Sequence, residues 1–204
     1  MRDRDASTAA AFQDCPGLPA RLRCAWRDHA AGWSAEVQAR AWLGPLLGCA
    51  PAAVPLRRDA HGRPRLGGAA AGCDAGWSHS GERLLLAFGR GVTLGVDLER
   101  ERPRPRALAL ARRFFAPAEA DWLAALPEPD RARAFLRLWC AKEAVLKAHG
   151  RGLAFGLQRL RFAERAGALV LAECDPALGT PAHWQLREWS PQPGYRAALA
   201  WRPL

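Results

Sequence analysis

The chain has 204 residues, of which half are apolar and nine are tryptophan; this suits one or two compact domains with a substantial core and excludes a disordered chain. No run of about 18 apolar residues occurs, which excludes a membrane-spanning helix. The formal net charge is +10, from 30 Lys and Arg against 20 Asp and Glu. Such a charge indicates an acidic partner, for example nucleic acid, an anionic membrane, a polyphosphate ligand or an acidic protein, unless it only reflects base composition.

The N-terminus and the cysteines bear on the cellular compartment. Residues 1–10 carry charges of both signs and no apolar segment, so we expect no signal peptide and a cytoplasmic protein. The cysteines include no C-x-x-C pair and no Cys/His cluster with zinc spacing, which argues against a metal site built on them. We expect reduced, mostly buried thiols at Cys15, Cys24, Cys49, Cys73, Cys140 and Cys174.

The first half of the chain predicts one helix and a pair of strands. Residues 34–48 suit a short helix that begins at a Ser34 cap, ends near Gly48 and is kinked or broken by Pro45. A long Gly/Pro/Ala-rich loop follows at 50–76. The apolar runs 82–88 and 92–99, joined by residues 89–91 of sequence GRG, predict a β-hairpin. The sequence RPRP at 102–105 suits a hinge between two halves.

The second half predicts helices followed by strands. Residues 107–115 and 117–126 have helical character, with Pro117 in the first turn. Asp130 is a plausible N-cap for a long helix that continues to about residue 149. After Gly156, four strand-like segments are separated by turn residues, at 157–164, 168–174, 183–190 and 194–202. Both halves therefore suit helix followed by strands, which indicates an α+β protein with halves 1–102 and 103–204.

Two acidic residues share one face of the strand at 92–99. Asp97 and Glu99 are two positions apart, so both side chains point the same way, about 7 Å apart along the strand. Adjacent carboxylates repel each other, which a solvent-exposed strand tolerates at little cost. Alternatively, a hard cation such as Mg²⁺ would convert the repulsion into a binding site, because it prefers oxygen ligands and phosphates.

The long helix carries a second group of charged residues. Trp139, Glu143 and Lys147 recur every four residues and therefore share one stripe. The stripe is either a surface Glu–Lys pair or a site in which Glu143 is a third oxygen ligand and Lys147 contacts a phosphate. Gly150 and Gly152 permit a left-handed helix end and also allow a ligand to approach the backbone.

These motifs resemble those of the 4′-phosphopantetheinyl transferase family. That family carries a G-[IV]-D-x-E strand and, some tens of residues later, W-x-x-K-E-[AS]-x-x-K-x-x-G-x-G-L. Here the two motifs stand at residues 95–99 and 139–153, with every fixed position filled. The larger surfactin-synthetase-activating class also has G-K-P, S-H-S and R-F-F-x-x-x-E elements. Here these stand at 62–64 (as GRP), 78–80 and 113–119, so the resemblance covers roughly residues 56–157 by motif.

The resemblance implies both a fold and an activity. The expected fold is two similar α+β halves packed about a pseudo-twofold axis, with coenzyme A in the cleft between them. The expected enzyme is a monomer that transfers the 4′-phosphopantetheine group of coenzyme A to a serine of an apo acyl or peptidyl carrier protein and releases 3′,5′-ADP. Carrier proteins of this kind are typically acidic, which agrees with the charge of +10 because complementary charge speeds the encounter.

The resemblance also assigns roles at the reaction centre. Asp97, Glu99 and Glu143 would hold Mg²⁺, which neutralises the charge that builds during phosphoryl transfer. Lys147 would contact the phosphates and assist the leaving group. The serine proton would pass to a carboxylate, either Glu143 or Glu119, or to a metal-bound water.

Further residues are expected to bind coenzyme A. His79 and Ser78 belong to the S-H-S element, whose histidine contacts a coenzyme A phosphate in the family. Arg63 replaces the usual lysine of G-K-P and would offer a bidentate phosphate fork. Arg40 is a weaker candidate from the N-terminal basic cluster. Lys142 is expected to be either a neighbouring phosphate contact or a structural charge.

Two other functions compete with this interpretation. A nucleic-acid-binding module would use the positive charge and the tryptophans for phosphate contacts and stacking. It leaves Asp97, Glu99 and Glu143 unexplained, and no nucleic-acid-binding motif occurs, so we expect no nucleic-acid partner. A degenerate scaffold that binds carriers without chemistry is disfavoured because the motifs are intact.

Overall fold

The computed structural model describes residues 12–204; the interpretation of residues 1–10 lies outside this range. The described chain is a mixed α+β protein, which confirms the predicted class. Its strands are β1 Gln13–Asp14, β2 Leu22–Asp28, β3 Leu56–Arg58, β4 Pro64–Leu66, β5 Cys73–Ser80, β6 Arg83–Arg90, β7 Val92–Arg100, β8 Leu160–Arg165, β9 Ala168–Cys174, β10 Gln185–Trp189 and β11 Tyr195–Pro203. Its α-helices are α1 Ala35–Leu47, α2 Ala107–Phe114, α3 Pro117–Ala125 and α4 Asp130–His149.

The strands form antiparallel sheets of different sizes. One sheet has the order β1-β2-β6-β5, a second has the order β10-β11-β7, and β3-β4 and β8-β9 form two separate hairpins. β7 and β11 pair in register from Val92 opposite Pro203 to Arg100 opposite Tyr195. The segments on either side of residue 102 are therefore joined by backbone hydrogen bonds. The division into halves at 102/103 stays a prediction.

The helix boundaries follow the local sequence closely. The Ser34 hydroxyl accepts a hydrogen bond from the Val37 amide at the start of α1, and Gly48 ends the helix in the left-handed conformation, so Pro45 does not interrupt it. Pro117 is the first residue of α3. The long helix has Pro129 as its N-cap, whereas Asp130 is its first helical residue and pairs with Arg133; the predicted Asp130 cap is therefore wrong by one position.

The predicted hairpin between residues 82–88 and 92–99 is wrong. Both segments are strands, but β6 pairs with β2 on one side and β5 on the other, and β7 pairs with β11. A strand has only two hydrogen-bonding edges, so β6 has none left for β7. Gly91, at φ +64°, turns the chain out of the first sheet into the second.

Two other parts of the first half were missed. β1 and β2 precede α1, so the described part of this half begins with strands, and β2 lies inside the four-stranded sheet. The loop predicted at 50–76 contains the β3-β4 hairpin and the beginning of β5. Within residues 12–204, none of the helices is both long enough and apolar enough to cross a membrane.

Gly95 allows β7 to lie directly on α4. A Cβ atom at this position would be 2.1 Å from the Ala144 carbonyl oxygen and 2.4 Å from the Ala148 amide nitrogen. Both distances are far inside van der Waals contact, so only glycine fits without moving the backbone. Because Gly95 and Asp97 lie on the same face of β7, this contact also brings Asp97 up against α4.

We therefore predict that Gly95→Ala lowers the free energy of unfolding by about 1–3 kcal/mol or more, because the new methyl group pushes the strand away from the helix. Urea denaturation measures the change. Gly76→Ala on β5 is the matched control: its Cβ would lie 3.7 Å from a Leu94 methyl group, so its stability should match or slightly exceed that of the wild type. Equal stabilities of the two variants would contradict the role given to Gly95.

Candidate active site

Asp97 is at the centre of a buried polar cluster. It is 3% exposed, and its Oδ1 atom accepts hydrogen bonds from Ser78 Oγ at 2.9 Å and from Lys147 Nζ at 2.6 Å. Ser78 Oγ also lies 2.8 Å from Lys147 Nζ. The second oxygen, Oδ2, is buried without a hydrogen-bond partner among the described residues. An unpaired buried carboxylate oxygen is costly unless a cation or donor satisfies it.

Glu99 lies beside this cluster in a more open position. Its Oε2 atom accepts hydrogen bonds from Arg104 Nη2 at 2.8 Å and from Ser80 Oγ at 3.4 Å. Burial and the negative charge of Asp97 raise the pKa of Glu99, against the lowering effect of Arg104. Asp97 and Glu99 thus share a face, as the sequence predicts, and each is held by a serine of β5.

Glu143 brings a third carboxylate to the cluster from α4. It is 8% exposed. Burial raises its pKa to about 7, the nearby charges of Asp97 and Glu99 add to the increase, and Lys147 opposes it. The alternative interpretation was a surface pair between Glu143 and Lys147. It is excluded, because Glu143 is buried and so is the neighbouring Asp97.

Lys147 supplies the positive charge at the cluster. Burial lowers the pKa of its ammonium group, but Asp97 and Glu143 outweigh that effect, so the pKa is raised and the group stays charged. As the side chains stand, no group of three His, Cys, Asp or Glu residues within 12–204 could hold a metal ion. In place of a metal ion, the ammonium group of Lys147 lies 2.6 Å from Asp97 Oδ1. The three-carboxylate metal site stays a prediction.

A cleft of about 230 Å³ opens beside Lys147. Its walls come from the β3-β4 hairpin, from residues 75–77 of β5, from residues 94–96 of β7 and from the glycine-rich end of α4. The glycines of this end, Gly150 and Gly152, have backbone φ angles of +98° and +53°. Residues other than glycine rarely adopt such angles. The positively charged or titratable residues of the lining are Arg58, His61, Arg63, Lys147 and Arg151.

Arg63 lies in the cleft wall, but most of its guanidinium is used internally. It forms an ion pair with buried Asp74 and donates to the carbonyl oxygens of Lys147 at 2.8 Å and Leu94 at 3.0 Å. It therefore fastens the β3-β4 hairpin to α4 and β7. These contacts occupy the Nε and Nη2 groups and argue against the expected bidentate phosphate fork, which stays a prediction.

Arg40 does not line the cleft. Its guanidinium bonds to Glu36 on the same helix and donates to the carbonyl oxygens of Val54 at 2.8 Å and Leu56 at 3.0 Å. These bonds hold α1 against the segment that leads into β3. The structure thus gives Arg40 a structural role and corrects its assignment to coenzyme A.

His79 points away from the acidic cluster. It alternates along β5 with Ser78 and Ser80, which both face Asp97 and Glu99, so its side chain lies on the opposite face. There it is exposed and packs against His29, with ring centroids 5.0 Å apart. His79 is outside the lining of the cleft, and its contact with a phosphate stays a prediction.

Lys142 and Glu119 form an ion pair in the core. Lys142 is 0% exposed, and its ammonium lies 2.7 Å from Glu119 Oε2 and 2.9 Å from the Leu157 carbonyl oxygen. Glu119, also buried, accepts hydrogen bonds from the Ala116 amide at 3.0 Å and the Phe162 amide at 2.8 Å. Of the two roles expected for Lys142, these contacts favour the structural charge, and they argue against Glu119 as the catalytic base. These charges join α4, α3 and β8.

Four polar or aromatic residues of the cleft were not predicted from the sequence, namely Arg58, His61, Trp77 and Arg151. Arg58 lies over the Trp77 ring, 5.4 Å from its centroid, and Arg151 follows the left-handed end of α4. The basic run at 57–65, with four arginines in nine residues, was a signal for Arg58. Arg151, between two motif glycines, was a second signal. Trp77 had no signal beyond its position before the S-H-S element.

Comparisons with known proteins indicate one family. A model of the 4′-phosphopantetheinyl transferase superfamily matches residues 93–200, which include β7 and α4. The 4′-phosphopantetheinyl transferase HetI of Nostoc sp. is 36% identical over 172 residues, covering 80% of this chain and 69% of the relative. The 4′-phosphopantetheinyl transferase Sfp of Bacillus subtilis is 30% identical over 122 residues, covering 60% of this chain and 52% of the relative.

A solved structure, the holo-[acyl-carrier-protein] synthase of Thermotoga maritima, aligns with a TM-score of 0.45 at 21% identity, over 55% of this chain and 64% of that chain. This similarity is too low to support a detailed comparison. The family match and the similarity to HetI are sufficient by themselves to assign the chain to a family. The chain belongs to the 4′-phosphopantetheinyl transferase superfamily. It is accordingly an enzyme, a transferase of the 4′-phosphopantetheinyl class.

The raised pKa of Glu143 predicts a pH-dependent stability. In the folded protein the pKa is about 7 against an ordinary value of 4.5, so the folded state holds the proton more tightly than the unfolded state. The free energy of unfolding should therefore fall as pH rises from about 4.5 to 7. In the absence of divalent cations, Glu143→Gln should be more stable than the wild type at pH 8, by up to about 3 kcal/mol, and lose this advantage near pH 4.5.

Urea denaturation across a pH series tests this expectation. Glu173→Gln is the matched control, because Glu173 is exposed and Arg161 lowers its pKa, so its removal should bring no gain at high pH. A Glu143→Gln variant less stable than the wild type at pH 8 would show that Glu143 is not a destabilising buried charge.

Proposed function

We propose that this chain transfers the 4′-phosphopantetheine group of coenzyme A to a serine of an apo acyl or peptidyl carrier protein, with Mg²⁺, and releases 3′,5′-ADP. The observation that carries the proposal is the arrangement of Asp97, Glu143 and Lys147, in which two buried carboxylates surround one ammonium group at the edge of a basic cleft. Family membership gives the reaction class, and this cluster gives the residues that would perform it.

The cleft suits a ligand that carries several phosphates. Lys147, Arg58, His61 and Arg151 all line it, and arginine and lysine are the usual partners of phosphate oxygens. Gly150 and Gly152 leave the backbone at the end of α4 open to a ligand. Coenzyme A, with a pyrophosphate and a 3′-phosphate, has the charge that such a lining would bind.

The carboxylates have the properties of ligands for a divalent cation. Asp97 Oδ2 is buried and unpaired among the described residues, and the pKa values of Glu99 and Glu143 are raised by burial and by mutual proximity of the acids. Asp97, Glu99 and Glu143 would hold Mg²⁺, which, when bound, supplies charge neutralisation at the pyrophosphate oxygens. Lys147 would leave Asp97 Oδ1 and bind the phosphates instead.

The serine hydroxyl of the carrier must lose a proton to attack phosphorus. Of the two carboxylates considered from the sequence, Glu119 is buried and already paired, so Glu143 remains. Its pKa of about 7 holds for the protein without a cation, and bound Mg²⁺ would lower it, so the proton would pass to Glu143 or to a metal-bound water. Each carboxylate has two oxygens, so Glu143 can contribute one to the cation and use the other for the proton.

The remaining expectations concern partner and state. The net charge of +10 supports an acidic carrier protein as partner. A nucleic-acid-binding function is not favoured, because it leaves the acidic cluster of Asp97, Glu99 and Glu143 without a role. A cytoplasmic location and a monomeric state are part of the proposal.

We predict that the chain adds a phosphopantetheine group to at least one of a panel of apo carrier proteins, when incubated with coenzyme A and Mg²⁺. Mass spectrometry of the carrier measures the gain in mass. Asp97→Asn, which keeps the size of the side chain but removes the charge at the centre of the cluster, should lose most of the turnover while remaining folded. No gain on any carrier from a folded wild type, or full activity of Asp97→Asn, would contradict the proposal.

The two lysines of α4 should behave differently. Lys147→Met should lose at least about 10²-fold in turnover, because it removes the charge that faces the phosphates, and it should also lose stability, because buried Asp97 loses its ion-pair partner. Lys142→Met leaves buried Glu119 without its partner, so we expect about 3–5 kcal/mol of lost stability. In a double variant with Glu119→Gln, where no unpaired charge remains, stability and turnover should both recover in part.

Urea denaturation and single-turnover kinetics separate the two effects. Should Lys142→Met keep the wild-type stability and lose turnover to the same extent as Lys147→Met, Lys142 would belong to the active site after all.

A further inference from the structure

Cys15 and Cys24 face each other at the edge of the four-stranded sheet. β1 and β2 are antiparallel, with Asp14 opposite Ala25, so the next pair in this register is Cys15 opposite Cys24. The Cys15 amide donates a hydrogen bond to the Cys24 carbonyl oxygen at 2.8 Å, which shows that the register continues to this pair. Both thiols are free.

The geometry of this pair is compatible with a covalent bond. Residues directly opposite each other on antiparallel strands have Cα atoms about 4.5–5.5 Å apart and side chains on the same face of the sheet. Disulfides span Cα distances of about 4.4–6.8 Å. Cys24 is buried in the core between the sheets, and Cys15 packs against the same core from a partly exposed position.

The two thiols also differ in reactivity. A hydrogen bond with Cys24 is the main cause that lowers the pKa of Cys15, and the charge of Arg187 contributes. Burial, followed by the interaction with Cys15, raises the pKa of Cys24 well above its ordinary value. The thiol of Cys15, which is partly exposed, is therefore the more easily ionised of the two. The thiolate is the nucleophile in disulfide exchange.

None of the other four cysteines has such a partner. Cys73 and Cys174 lie opposite Arg90 and Leu160 in their ladders. Cys140 is buried within α4, and burial raises the pKa of its thiol well above the ordinary value. Cys49 lies in the turn that follows α1. Cys15 and Cys24 are thus the two thiols that the strand register places directly opposite each other.

We propose that Cys15 and Cys24 form a reversible disulfide by exchange with a low-molecular-weight disulfide, which makes this pair a redox modification site of the protein. The Cys15 thiolate attacks one sulfur of the small disulfide, forms a mixed disulfide and releases one thiolate. The Cys24 sulfur then attacks the Cys15 sulfur, and the second small thiolate leaves. Two protein thiols are oxidised, one small disulfide is reduced to two thiols, and the protein's two protons pass to these thiols.

The sequence between the two cysteines allows a direct test. Trypsin cleaves after Arg21 and Arg23, so Cys15 and Cys24 fall on separate peptides, residues 5–21 and 24–27, unless a disulfide links them. The reduced full chain is equilibrated with oxidised and reduced glutathione at several ratios. It is then quenched with N-ethylmaleimide, unfolded, digested and analysed by mass spectrometry.

We expect the linked peptide pair to become the main oxidised product and to disappear on addition of dithiothreitol. It should be absent in Cys15→Ser and in Cys24→Ala, and unchanged in Cys49→Ser, which is the matched control. The melting temperature of the oxidised wild type should rise above that of its reduced form, because the bond closes the β1-β2 turn, whereas oxidant should not shift that of Cys15→Ser.

Three outcomes would overturn the proposal. One is a stable glutathione adduct on Cys15 with Cys24 still free, since the second thiol would then be unable to resolve it. Another is disulfide formation between other cysteines at the same glutathione ratio. The third is the absence of any oxidation of Cys15 and Cys24 at ratios that oxidise an exposed model dithiol. Because Cys15 is partly exposed, Cys15→Ser remains an informative variant even if Cys24→Ala folds poorly.

Discussion

The active site depends on the contact between β7 and α4 at Gly95. A side chain at this position would overlap the backbone of the helix at Ala144 and Ala148, so glycine sets the distance between the two elements. The same face of β7 carries Asp97, two residues further along, which therefore meets the helix one turn closer to its N-terminus. Strand and helix supply charges to one small volume only because their backbones touch.

That proximity brings the negative charges of Asp97 and Glu143 together, and neighbouring groups partly compensate for their repulsion. Asp97 and Glu143 are both buried, and Lys147 is the cation that offsets them. Ser78 shares hydrogen bonds with both Asp97 and Lys147. One oxygen of Asp97 is still unpaired among the described residues, and the pKa of Glu143 is still raised to about 7. The cluster therefore retains an excess of negative charge, which suits the proposed cation.

The two lysines of α4 show how one helix serves the core and the site together. Lys142 and Lys147 are five residues apart, which places them about 140° apart around the helix. Lys142 reaches Glu119 and the carbonyl oxygen of Leu157 in the core, whereas Lys147 faces the cleft. Arg63 adds a further connection, because it binds the carbonyl oxygen of Lys147 and so holds the β3-β4 hairpin as a wall beside the same residue.

The sequence by itself determined the family, the α+β class, most element boundaries and the residues of the acidic cluster. These depend on local rules: the alternation of a strand puts Asp97 and Glu99 on one face, and the period of a helix aligns Glu143 with Lys147. The tertiary structure decided which strands pair, so β7 joins β11 rather than β6. It also decided which charges are consumed internally. Arg63, Glu119 and Lys142 look like site residues in the sequence, but Arg63 binds the carbonyl oxygen of Lys147, and Lys142 binds Glu119, which lies on another helix. The reason is physical: a charged side chain removed from water must be paired, and its partner is set by packing between distant segments, which no local pattern encodes.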